Sequence, residues 1–238
     1  MQIAETFAPF AQMSNVQASA FTFHFPKQRE ASAVQKGQVI YLVDDDVRVR
    51  EALAELLTSL GREVVSFGSA KEFLRYNRND SSACLIVDVV LPDMSGLDLQ
   101  KQLDGGLHPP IIFMSAHADI PTTVRAMKAG AIEFLTKPVK PQDLITAIDT
   151  ALAQDLLQRE RRLELAKIRS GYSLLTPRER EVLPLITGGM LNKQAAAYLG
   201  ISEVTLQVHR GQVMRKMAAR SFAELVRMAE KLGISTIA

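Results

Sequence analysis

LIVDVVLPDMSG (residues 85–96) decides the fold. A short apolar run ends on Asp88, and the turn formers Pro92, Asp93, Ser95 and Gly96 follow it closely. Three other stretches share that layout: VIYLVDDD (39–46), IIFMSAH (111–117) and AIEFLTKP (131–138). In each, an apolar run is followed by a carboxylate, a hydroxyl or an ammonium group. If the four runs are strands of one parallel sheet, Asp44, Asp45, Asp88, Ser115 and Lys137 gather at its carboxyl edge. That edge is where open α/β sheets bind ligands.

The intervening sequence supplies the helices such a sheet needs. Asp46 can cap a helix through Leu60, with Leu53, Leu56, Leu57 and Leu60 on one stripe and Gly61 after it. EVVSF (63–67) reads as strand two, and Ser69 can cap AKEFLRY. The third strand is expected over 85–90, the fourth over 111–114 and the fifth over 132–135. Helices follow Gly96, begin near Pro121, and open at Pro141, the last running to about Ile168. This alternation predicts a doubly wound, five-stranded parallel sheet over residues 37–153. Residues 154–170, charged and periodic, read either as a solvated linker helix or as a short helical dimer contact. Residues 1–36 show no sustained period and are expected to lack a fixed structure. Phe7, Phe10, Phe21, Phe23 and Phe25 leave a docking segment as the alternative, and Met13 is an alternative start.

Residues 171–238 are punctuated as an all-α domain of four helices. Thr176, Pro177 and Glu179 form a capping box with proline at the first helical position. Asn192 can cap KQAAAYL, which Gly200 closes. Ser202 opens a helix to Met217, Ser221 with Glu224 forms a second capping box, and Gly233 ends the last helix. The two helices joined by LGIS make a helix-turn-helix. On the second of them Leu206, Val213 and Met217 face the core. Thr205, Val208, Gln212 and Arg215 face out, with Gln207 and Lys216 at the edges. Such a mixture of amide, hydroxyl, methyl and guanidinium groups can read a major groove. Lys193, Arg215 and Lys216 suit phosphate clamps, and His209 reads equally as a packed histidine or a base contact. Pro184 inside its helix predicts a kink at about 3 kcal/mol. Gly211 inside the recognition helix costs about 1 kcal/mol against alanine, and can let the backbone approach a phosphate.

The formal net charge of +2 conceals an asymmetry. Residues 37–153 hold 11 Lys/Arg against 16 Asp/Glu, a net of −5, whereas residues 171–238 hold 9 against 5, a net of +4. That division suits a cation-binding domain joined to one that meets a polyanion. Cys84, the single cysteine, lies in an apolar run and reads as a buried, inert thiol. The four histidines, at 24, 108, 117 and 209, show no metal-ligand spacing. No membrane span is expected, nor a secretory signal, and the location is expected to be cytoplasmic.

The acidic edge suits magnesium, which takes oxygen ligands and keeps several waters. Asp44, Asp45 and Asp88 can supply carboxylates and the Val90 carbonyl another oxygen. Asp88, held at a strand end, is the expected nucleophile for a phosphoryl group, giving an acyl phosphate. Lys137 and Ser115 would pair with the transferred group.

VDDD, DVVLPDMSG, MSAH and EFLTKP together resemble the receiver of two-component response regulators. LTPREREVL, NKQAAAYLGIS and VTLQVHRGQVMRKM resemble the LuxR-type output domain, with particular likeness to the FixJ subgroup. The resemblance implies a sensor histidine kinase as phosphodonor and a cis bond between Lys137 and Pro138. It also implies a switch in which Ser115 moves to the phosphate and Phe134 turns inward. Dimerisation, binding to promoter DNA, contact with RNA polymerase and transcriptional activation follow from it, and a rhizobial nodulation-type regulator is one reading. Val90 and His117 flank the pocket where such proteins control loss of the phosphate, and bulky Val90 predicts a long-lived phosphoprotein. Two other functions fit parts of the sequence. One is a phosphate-sink or docking receiver with weak DNA binding, favoured by Pro184 and Gly211. The other is an acid phosphatase-like enzyme, disfavoured because valines follow Asp88 where a second acid would be needed.

Overall fold

The computed structural model describes residues 37–103, 108–117 and 119–234. The expectations for residues 1–36 lie outside them. Strands β1 (Gln38–Val43), β2 (Glu63–Phe67), β3 (Ser82–Asp88), β4 (Ile111–Ser115) and β5 (Glu133–Thr136) form one parallel sheet in the order β2-β1-β3-β4-β5. Helices α1 (Val47–Ser59), α2 (Ala70–Arg75), α3 (Gly96–Leu103) and α4 (Ile120–Lys128) connect them, and α5 (Pro141–Ser173) follows. The two-residue alternation of β1 supplies both faces. Val39, Tyr41 and Val43 join Phe73, Leu99 and Phe113 in one core, and Ile40 and Leu42 join Leu57, Leu144 and Ile148 in the other. A sheet covered on both sides needs apolar residues at every strand position, which explains the unbroken apolar runs. Cys84 is buried in the second core, and burial pushes its thiol up to about 12.

The expected caps at Asp46, Ser69, Thr176, Ser202 and Ser221 each accept a backbone N–H. Asn192 does not. It is the first residue of its helix, and Leu191 stands at the cap with its N–H bonded to Gln194 Oε1 at 3.0 Å. On α1 the stripe is buried only at Leu57, and Leu60, past the last turn, is exposed.

The third strand ends at Asp88, two residues before the expected Val90. Val90 N–H turns back to Asp88 Oδ1 (3.0 Å) and Gly96 N–H bonds Val89 O (2.9 Å), so the chain leaves the sheet at once. Gly96 is required there, because a Cβ would lie 2.4 Å from the Asp88 carbonyl oxygen.

The linker helix expected at 154–170 continues the helix that opens at Pro141, as expected. It is the middle of α5, five residues longer than the expected end at Ile168. Buried Asp155 accepts the Ala83 N–H (3.0 Å) and Arg159 Nε (2.6 Å), and Arg159 also pairs with Asp80. Further along, Glu164 pairs with Lys231, and Ile168 is buried in the C-terminal core. Gly171 packs so closely that a Cβ would stand 3.0 Å from Lys216 O. Helices α6 (Pro177–Thr187), α7 (Asn192–Leu199), α8 (Glu203–Lys216) and α9 (Phe222–Lys231) enclose that core. α6 continues through Pro184. Gly200, at φ +65°, closes α7 in the left-handed conformation that favours glycine.

Candidate functional site: an acidic sheet edge and an outward-facing recognition helix

Strand register assembles the site. Val43 pairs with Val87, so Asp44 and Asp88 stand side by side one step beyond. Asp88 pairs with Met114, and Ser115 with Thr136, so Ser115 and Lys137 complete the row. The Lys137 N–H bonds Ser115 O (2.8 Å), and the Lys137–Pro138 peptide is cis. Lys137 Nζ donates to Asp44 Oδ2 at 2.6 Å and to Asp88 Oδ2. Asp44 is fully buried and Asp45 exposed. One ligand oxygen from each of Asp44, Asp45 and Asp88 lies within 4.8 Å of the others.

Two carboxylates therefore share one ammonium, and a third, Asp45, stands beside them. Burial raises the Asp44 carboxyl above its ordinary range, against the opposing pull of Lys137 and the Asp46 N–H. Burial would lower the Lys137 ammonium, but hydrogen bonds to Asp44 and Asp88 outweigh it and the net shift is upward. Hard oxygen donors and surplus negative charge are the chemistry of a divalent-cation site.

Ser115 Oγ is buried and turned to its own loop, donating to His117 O (2.8 Å) and accepting the His117 N–H (3.2 Å). The Phe134 ring is half-buried, 6.2 Å from that of Phe113. Val90 is 69% exposed, at the mouth of the pocket. Arg50, which the sequence reading passed over, donates to the Asp44 carbonyl and fixes the corner that carries the acids. Its position one turn into α1 gave no pattern by which to find it.

In the helical domain Leu206, Val213 and Met217 are buried as expected. Thr205, Gln207, Val208, Arg215 and, on α7, Lys193 are exposed. His209 and Gln212 are half-buried, and Gln212 Oε1 accepts Arg215 Nη2. A Cβ on Gly211 would meet open space. Lys216, expected as a phosphate clamp, is half-buried and paired within the domain. Its ammonium is 2.6 Å from Oε2 of Glu179, the third residue of α6 and partner of Thr176 in its capping box. Arg210, unremarked in the sequence, stacks over Phe222 (4.5 Å) and donates to Asn192 Oδ1 (3.0 Å), joining α8 to α7 and α9.

Residues 40–149 match the response regulator receiver domain, and residues 173–229 match the bacterial regulatory proteins of the luxR family. Nodulation protein W of Bradyrhizobium diazoefficiens is 48% identical over 198 residues, which are 83% of this chain and 87% of that protein. The chain belongs to the response regulators with a LuxR-type output domain. The transcriptional regulatory protein FixJ of Azorhizobium caulinodans is 42% identical over 200 residues, 82% of this chain and 93% of that protein. The solved structure of response regulator StyR superposes with a TM-score of 0.72 at 47% identity, covering 82% of this chain and 99% of that one. A response regulator of this kind is a two-component transcription regulator. Its receiver implies a kinase partner, and its output domain implies DNA. No helix among the described residues is long and apolar enough to cross a membrane.

Proposed function

We propose that Asp88 is the phosphoacceptor of this regulator and that its phosphorylation controls promoter binding by α8. The observation that carries the reading is the row Asp44, Asp88 and Lys137, hydrogen-bonded at a sheet edge beside exposed Asp45. An Asp88 oxygen attacks the phosphorus of a kinase phosphohistidine; the phosphorus–nitrogen bond breaks, and its electron pair leaves with the imidazole. Asp44, Asp45, Asp88 and the Val90 carbonyl would hold Mg²⁺, which when bound offsets the charge of the incoming phosphoryl group. Lys137 pairs with the transferred group, and Ser115 releases His117 to reach it, freeing space for Phe134. Val90 leaves water poorly placed to hydrolyse the product.

Residues 37–153 serve as receiver, 154–170 as the helical connection and 171–238 as the DNA-binding domain. Lys193, Thr205, Gln207, Val208, His209, Gln212 and Arg215 form the DNA-facing set; Lys216, held by Glu179, braces the domain instead. The phosphorylated form dimerises, engages paired half-sites and RNA polymerase, and activates transcription in the cytoplasm. The chain is a stoichiometric phosphate acceptor rather than a turnover enzyme. The likeness to Nodulation protein W supports a nodulation-type role.

Fluorescence anisotropy on promoter fragments at varied salt tests this reading. Phosphorylated wild type should bind at least about tenfold tighter than Asp88→Asn, with a salt slope near −0.9 per phosphate contacted. Equal, sequence-independent binding by both would favour a docking receiver.

A further inference from the structure

Asp93 lies in the β3–α3 connection, which starts from Asp88 and carries Val90, yet its carboxylate serves another element. Asp93 Oδ2 accepts the Lys71 N–H at 2.8 Å and Oδ1 the Ala70 N–H at 3.3 Å. These are the first two N–H groups of α2, which no intrahelical acceptor can reach. Burial would raise the Asp93 carboxyl, but the two backbone N–H groups outweigh it and hold the carboxyl below its ordinary range.

The other side of the same β2–α2 turn is tied to the acidic corner. The Asp44 N–H bonds Phe67 O at 3.2 Å. The Arg50 guanidinium, which donates to Asp44 O, lies 3.7 Å from where a Gly68 Cβ would sit. The β2–α2 turn thus offers the pocket no acid, but it joins the two connections that do. Asp93 makes one of those joints, and Asp44 with Arg50 makes the other.

We propose that Asp93 is a positioning residue that sets the affinity of the acidic pocket for a divalent cation. It does so by holding the β3–α3 connection, and with it Val90 and Asp88, against the N-terminus of α2. The inference rests on the reading of the pocket as a Mg²⁺ site. A residue that merely capped α2 would change stability and leave cation binding alone. Groups hydrogen-bonded to metal ligands typically alter metal affinity by about 10- to 100-fold, and Asp93, one bond further out, should stand at the low end of that range.

Calorimetric titration of MgCl₂ into the full-length, unphosphorylated chain separates these roles, with thermal unfolding in Mg²⁺-free buffer alongside. Asp93→Ala should raise the Mg²⁺ dissociation constant by about tenfold, and Asp93→Asn, which keeps one acceptor oxygen, by less. Asp98→Asn is the charge control. It removes the same charge from the exposed start of α3, where Asp98 pairs with Lys101 (2.9 Å), and should change the constant by less than about twofold. A lower melting temperature for Asp93→Ala with a wild-type dissociation constant would overturn the proposal. So would equal weakening by Asp98→Asn, which would assign the effect to charge alone. Wild-type protein that takes up no Mg²⁺ would instead overturn the reading of the pocket, and the role of Asp93 with it.

Discussion

Two lysines each meet a buried carboxylate, one in each half of the molecule, and they are put to different uses. Lys137 stands between Asp44 and Asp88, with Asp45 close by, so negative charge remains in excess. Lys216 closes on Glu179, which also accepts the Thr176 N–H at 2.8 Å, and the charges balance. A balanced pair braces a fold, whereas an unbalanced cluster retains capacity for a cation and a phosphoryl group. The count of acids around each ammonium, rather than burial or distance, separates chemistry from architecture here.

Lys137→Met should break the contrast most severely. Removing the ammonium leaves Asp44 and Asp88 side by side without their counter-charge, at a cost of about 3 kcal/mol near neutral pH. Urea unfolding should show that loss, and added Mg²⁺ should recover part of it because the cation replaces the missing charge. Lys216→Met should cost about 2 kcal/mol, with no recovery by Mg²⁺, because Glu179 keeps its backbone donor.

The two sites should also titrate in opposite directions. The Glu179 carboxyl is lowered: burial opposes this, but Lys216 and the Thr176 N–H prevail. Its contribution is therefore complete above its ordinary value of 4.5 and is lost as pH falls through the lowered folded value. Lys137 is raised, so its contribution is complete below 10.5 and is lost as pH rises through the raised value. Asp44, raised by burial, adds nothing to acid loss. Hydrogen exchange resolved by segment should thus show acid loosening α6 and α8 through Glu179 and the β2–α2 turn through Asp93, and alkali opening the sheet edge. Glu179→Gln should remove the acid loss from α6 and α8 and leave that of the turn held by Asp93.

Smaller effects sharpen the account of the DNA face. Arg215→Ala should weaken binding across sequences and reduce the salt slope by about 1, whereas Lys216→Met should leave the slope unchanged. Gly211→Ala, into open space, should stabilise α8 by up to about 1 kcal/mol. If the backbone there lies against a phosphate, affinity falls at the same time.

Much of this was legible because it depends on local order. The apolar runs ending in Asp44, Asp88, Ser115 and Lys137 forced a common sheet edge, and parallel register did the rest. Side-chain caps at Asp46, Ser69, Thr176, Ser202 and Ser221 are local as well. Asn192 misled because a cap-forming residue can equally occupy the first helical position when a downstream Gln194 supplies the bond. The linker helix was legible from its periodicity, but its anchors were not, because they are distant: Asp155 is held by Ala83, 72 residues away, and Glu164 pairs with Lys231. Lys216 and Glu179 are 37 residues apart, so nothing in the periodicity of α8 disclosed the pairing. The brace made by Asp93 was hidden likewise, because a turn residue in PDMSG gives no sign that it caps a helix preceding it by 22 or 23 residues.

The central claim is tested most directly by peptide mapping with mass spectrometry after incubation with acetyl phosphate, with and without Mg²⁺. The account predicts one Mg²⁺-dependent phosphoryl group per chain, on the peptide containing Asp88 and absent from Asp88→Asn. A label on another residue, or equal labelling of the Asp88→Asn chain, would contradict it.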